Sequence, residues 1–109
     1  MRATMPEPTY HGEIWWAMLD KRRPVVVASR DDRQGAREQA TVALVTTTVR
    51  GIPSEVAVDR GDGFPRASVI NCDDLATVHK AVLQERIGRL SQRQLEELHQ
   101  ALRFSLAIP

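Results

Sequence analysis

The sequence predicts a small, mostly β domain with one amphipathic helix at its C-terminal end. Runs rich in Val, Thr and aromatic residues recur along most of the chain, separated by turns that carry Gly, Pro or Asp. The final segment changes period: Ser91 and Gln94 form a capping-box pattern, and Leu95, Leu98, Leu102 and Leu106 follow at helical spacing. A chain of 109 residues is the length of one domain; such a domain buries roughly two thirds of its unfolded surface without needing staples. Strands first and a helix last predict a sheet whose open end is covered by the leucine stripe.

Taken in order, residues 1–10, with Pro6 and Pro8, read as a flexible leader, and 11–109 as the single folded domain. The run 13–19 is almost continuously apolar and aromatic, which favours a strand. Strand parity puts Ile14, Trp16 and Met18 on one face and Glu13, Trp15 and Ala17 on the other. Trp16 is expected in the core, and Trp15 over a secondary cluster or a contact surface. Only Asp20, Lys21 and Arg22 separate this run from Pro24-Val25-Val26-Val27, so the two strands form a tight hairpin. Residues 30–38 are polar and alternate in charge sign, which reads as a solvated loop. A strand over 41–49 ends in Thr46-Thr47-Thr48, and shorter strands follow at 54–59 and 67–71. For 73–89 the pattern is mixed, and short helical turns with one or two small strands are expected.

Composition narrows the chemistry. A net charge of +1 argues against a broad electrostatic grip on nucleic acid. Yet 13 of the 15 cations are Arg, the better fork for a phosphate, so a local site is compatible with that balance. The lone Cys72 excludes an intrachain disulfide and a cysteine-based metal knuckle, and it reads as a small apolar strand residue rather than a nucleophile. No metal and no cofactor is expected. No apolar run approaches the roughly 20 residues of a membrane span, so no membrane partner is expected either. His11, His79 and His99 lie on unrelated segments and read as surface or satisfied histidines.

The stretch Lys21-Arg22-Arg23-Pro24 offers the best site. Pro24 suits the first position of a strand, and it pushes the preceding residue out of the helical region. Arg23 is thereby mounted on stiff backbone where the chain enters the core, a good place for a phosphate clamp. If the antiparallel neighbour ends at Thr46 and Thr47, a guanidinium and one or two hydroxyls share one mouth, a cradle suited to a phosphodiester.

The runs GEIWWAMLD, RRPVVVAS, VALVTTTVRGIPSEV and SVINCDDLATV together resemble the MazF/PemK family of toxin endoribonucleases from type II toxin–antitoxin systems. The resemblance spans 11–109, with the elements in the family's order. It implies a small SH3-like β-barrel (CcdB/MazF-like) with a C-terminal helix, and a homodimer. It also implies a cytoplasmic, metal-independent endoribonuclease that cleaves single-stranded RNA by 2′-OH attack and is silenced by a cognate antitoxin peptide. By position, Arg23 and Thr46 match the family's catalytic residues, while Lys21, Arg22 and Thr47 are expected to bind substrate. The loop between the first two strands is shorter than in many relatives, and a general base supplied from it is expected to be missing. The alternative is a non-enzymatic, CcdB-like gyrase-binding toxin; the tail 104–109 lacks the terminal Trp which that class relies on.

Overall fold

The structure is a computed structural model that describes residues 7–109. The part of the expected leader at 1–6 lies outside the described residues. Residues 7–10 are engaged: the Glu7 carbonyl accepts from Lys80, and Thr9 is buried and bridges Asp32.

Six antiparallel strands form one curled sheet in the order β4-β5-β3-β2-β1-β6. They are β1 (Glu13–Met18), β2 (Arg22–Val27), β3 (Gln39–Thr46), β4 (Glu55–Val58), β5 (Ser68–His79) and β6 (Leu83–Arg89). The helix α1 (Gln92–Leu106) lies over β4 and β5. Its start is the expected capping box, with Ser91 Oγ accepting from the Gln94 amide and the Gln94 side chain accepting from the Ser91 amide. Among the described residues, no helix is long and apolar enough to cross a membrane.

The curl gives the sheet a core on each face. Ile14, Val26, Val45, Val56 and Ile70 pack beneath Leu98 and Ala101 of α1. Trp15, Ala17, Val25, Val27, Val42 and Leu83 form the second cluster on the other side. The parity of β1 is therefore as expected, but its consequence is not. Trp15 is buried, whereas Trp16 is half-buried and Met18 exposed. Helix α1 covers only the Ile14 end of that face, and the Trp16 end opens beside Pro24, its cross-strand neighbour.

Three further expectations are corrected. The stretch 73–89 is mainly strand, because β5 runs on to His79 and a single 3₁₀ turn, Lys80–Val82, joins it to β6. Its apolar residues serve both faces of a bent sheet, which blurs the period of two. The loop 30–38 is not simply solvated, since Asp32 pairs with the buried Lys80 and accepts from the Ala36 and Arg37 amides. The leucine stripe holds as far as Leu102, but Leu106, the last residue of α1, is exposed.

Candidate active site

The β1–β2 hairpin fixes the first half of the site. Met18 faces Arg22 and Ala17 faces Arg23, so Leu19, Asp20 and Lys21 alone make the turn, with the Leu19 amide donating to the Lys21 carbonyl. The β2–β3 register fixes the second half. Val25 faces Leu44 and Val27 faces Val42, and continuing that register past the last ladder pair brings Arg23 opposite Thr46. The two residues line one groove at the open end of the sheet.

Arg23 and Thr46 stand between two hollows of about 420 and 350 Å³. The first is polar, with Asp20, Arg50, Asn71 and Asp74 on its walls. The second is bounded by Trp16, Pro24 and Pro65 and by the cations Lys21, Arg22 and Arg66, with Thr47 also on its wall. The geometry thus brings Arg23, Thr46, Lys21, Arg22 and Thr47 together. Arg22 is less free than the others. Its guanidinium lies 4.6 Å from the centre of the Trp16 ring, its Nε donates to Gln84 at 3.3 Å, and Glu85 is 3.9 Å away.

Asp20 holds Arg23 in place. The Arg23 Nε and Nη2 donate to the two Asp20 oxygens at 2.8 and 2.9 Å, a two-point fork. That hydrogen bonding holds the Asp20 carboxyl far below the ordinary carboxylate range and raises the Arg23 pKa, with desolvation opposing both shifts. The fork leaves both Nη1 hydrogens and the other Nη2 hydrogen for a ligand. Thr46 is also oriented: its Oγ1 accepts from the Thr48 amide at 3.1 Å, so its own hydrogen remains to be donated. The arrangement presents a fixed cation and a fixed hydroxyl to one oxyanion.

Some of the groove was not read from the sequence. Asp20 sits three residues before Arg23 in a tight hairpin, a spacing that could have signalled the fork. Asp74 and Asn71 reach the groove through an irregular stretch of β5 that has no sequence signature. Cys72 is fully buried, and burial pushes its thiol up to about 11, in line with a strand residue and not a nucleophile.

A second polar cluster lies at the other end of the hairpin, roughly 17 Å along β2 from Arg23. The His11 and His99 Nε2 atoms are 2.8 Å apart, and His11 Nδ1 is 3.1 Å from the Ala28 carbonyl. That carbonyl can only accept, so His11 donates through Nδ1, which in the neutral ring leaves its Nε2 to accept from His99 Nε2–H. The ring planes are 18° apart and their centroids are separated by 5.0 Å, which with the short N···N distance means an end-to-end contact rather than face stacking. These two histidines are thus satisfied, as expected, but by one another.

Taken together, these features define a small curled-sheet domain with a fixed cation and a fixed hydroxyl in one groove at its open end. A profile of PemK-like, MazF-like toxins of type II toxin–antitoxin systems matches residues 10–106. The chain belongs to that family. It is 42% identical over 98 residues to a probable endoribonuclease MazF5 of Mycobacterium tuberculosis, covering 87% of this chain and 90% of that protein. It is 32% identical over 89 residues to the endoribonuclease EndoA of Bacillus subtilis, covering 79% and 77%. Among solved structures, the Mycobacterium tuberculosis toxin MazF-mt6 superposes with a TM-score of 0.84 at 36% identity, over 89% of this chain and 98% of that one. A mycobacterial endoribonuclease solved with its cognate antitoxin shares the fold, with a TM-score of 0.82 at 24% identity over 93% and 97%.

Proposed function

We propose that this chain is the toxin of a toxin–antitoxin pair and acts as a sequence-specific, metal-independent endoribonuclease on single-stranded RNA in the cytoplasm. Residues 11–109 are the toxin domain, which works as a homodimer and is silenced when the antitoxin peptide occupies its groove. Support comes from family membership, from relatives named as endoribonucleases and from the relative solved with its antitoxin. The observation that carries the reading is the meeting of Arg23 and Thr46 between the two hollows.

The reaction is attack of a ribose 2′-OH on the adjacent phosphorus, leaving a 2′,3′-cyclic phosphate and a free 5′-OH. Charge builds on the non-bridging phosphate oxygens as the fifth bond forms, and preformed donors aimed at it lower the barrier. Arg23 offsets that negative charge through its unused N–H groups, and Thr46 donates its hydroxyl to it. Lys21, Arg22 and Thr47 bind the flanking backbone, and the two hollows hold the nucleotides on either side of the scissile phosphate. The guanidinium of Arg23 clamps and stabilises; with a pKa above about 12 it is a poor proton shuttle near neutrality.

The test is to incubate the purified chain with a long RNA in the presence of chelator and to map the cut ends. Cuts at a recurring short sequence, each with cyclic phosphate and 5′-OH ends, are expected. Intact RNA, or 5′-phosphate ends that need added metal, would overturn the reading.

A further inference from the structure

Strand β5 does not run straight past β3. Ala43 pairs with Leu75, yet the next residue, Leu44, pairs with Asn71, so Cys72, Asp73 and Asp74 are looped out of the ladder. Irregularities of this kind re-aim side chains and occur beside active sites. The three residues meet different fates. Cys72 turns into the core. Asp73 is claimed by the fold: its carboxylate accepts from the Ser54 hydroxyl at 2.6 Å, and that bond, with a further contribution from Ser105, lowers its pKa. Asp74 is exposed and lines the same hollow as Arg23 and Thr46. Among the described residues, no hydrogen bond or ion pair engages its carboxylate. Its charge reaches Arg23, as one of the influences that raise the Arg23 pKa.

Attack by a 2′-OH needs a base, and the other groups of the groove do not provide one. Arg23 has no free lone pair. The Thr46 oxygen is already engaged by the Thr48 amide, and a neutral hydroxyl is a weak base. Both Asp20 oxygens are held by Arg23, which lowers their basicity. His11 and His99 sit at the far end of the hairpin. Resting on the reading of this chain as an RNA-cleaving toxin, we propose that Asp74 is the general base. Its carboxylate takes the 2′-OH proton as the 2′-oxygen bonds to phosphorus. The bond from phosphorus to the 5′-oxygen breaks, that oxygen takes a proton from water, and Arg23 and Thr46 hold the charge on the phosphate. The base that the short β1–β2 turn does not supply, its Asp20 being held by Arg23, thus comes across the groove from β5.

The test compares single-turnover cleavage of an RNA oligonucleotide by the wild type, Asp74→Asn and Asp74→Glu, with melting temperatures as a folding check. Asp74→Asn is expected to fold normally and to lose about 100-fold or more in rate, with Asp74→Glu recovering part of that loss. The pH–rate profile of the wild type should show an acid-side limb that is absent in Asp74→Asn. Affinity for the same oligonucleotide bearing a 2′-deoxy sugar at the cleavage position should be unchanged. Cleavage at the wild-type rate by Asp74→Asn would overturn the proposal. So would a loss that disappears on RNA of another sequence, which would make Asp74 a base reader, or a matching loss of affinity for the deoxy analogue. Failure of the underlying reading looks different: there, the wild type itself leaves RNA intact.

Discussion

The two ends of the β1–β2 hairpin carry similar side chains and put them to opposite uses. At one end Lys80 is almost wholly enclosed, with its ammonium on Asp32 and on the Glu7 carbonyl at 2.8 Å, while His11 and His99 satisfy each other. The polar groups there bond to one another, and the result is a clasp that ties the loop 30–38 and the 3₁₀ turn after β5 to the residues preceding β1. At the other end Arg23 is bound on one edge by Asp20 and free on the other, and the Thr46 hydroxyl keeps its hydrogen. A polar group whose bonding is complete contributes structure; one that is oriented but incomplete is ready for a ligand. What distinguishes the reactive end is spare capacity in a fixed geometry rather than the presence of charge.

That contrast predicts a clean separation of effects. The largest is expected at the groove: Arg23→Ala should slow RNA cleavage by about 1,000-fold with little change in melting temperature, since the ion pair it removes is solvent-exposed. A melting temperature that falls in parallel with activity would erase the distinction between the two ends. Next, Lys80→Met should lower the melting temperature by several degrees, because it strands the Asp32 carboxylate and the Glu7 carbonyl. Cleavage below the new melting point should stay near that of the wild type, and a large rate loss there would show that the clasp shapes the groove.

The smallest effect is a pH dependence of stability at the clasp. Burial, chiefly, and the neighbouring His11 and Arg103 lower the His99 pKa below its ordinary 6.5, against an opposing pull from Glu96. The unfolded chain therefore takes up a proton first, and stability should decline as pH falls below about 6.5. A second decline should follow as Asp32, whose pKa Lys80 and the Arg37 amide lower from 3.8 to about 2, is protonated. His99→Gln should remove the first step and leave the second; an unchanged profile between pH 7 and 5 would show that the histidine pair does not titrate with folding.

How much of this was legible in the sequence follows from how far each feature depends on local chain geometry. The short hairpin anticipated β2, although the strand starts at Arg22, two residues before the proline expected to open it. The threonine run marked the end of β3, so two halves of one mouth could be anticipated from a few residues each. The capping box at Ser91 and the leucine period gave α1 in the same way. Trp16 was misjudged because parity tells which residues share a face, not where along that face the cover ends. Asp74 was hidden because the irregularity between Asn71 and Leu75 shifts the register by an amount that sequence does not announce. His11 and His99 are 88 positions apart and meet only because α1 docks against the curled sheet.

The account rests on Arg23 and Thr46 acting on one phosphate, and a double-mutant cycle on single-turnover cleavage tests that most directly. Rates are needed for Arg23→Ala, Thr46→Val and the combined variant on the same RNA oligonucleotide. The account predicts that the combined variant is only slightly slower than Arg23→Ala alone, because two groups serving one charge lose their effect together. Losses that multiply in full would mean that the guanidinium and the hydroxyl act at separate places, and would contradict it.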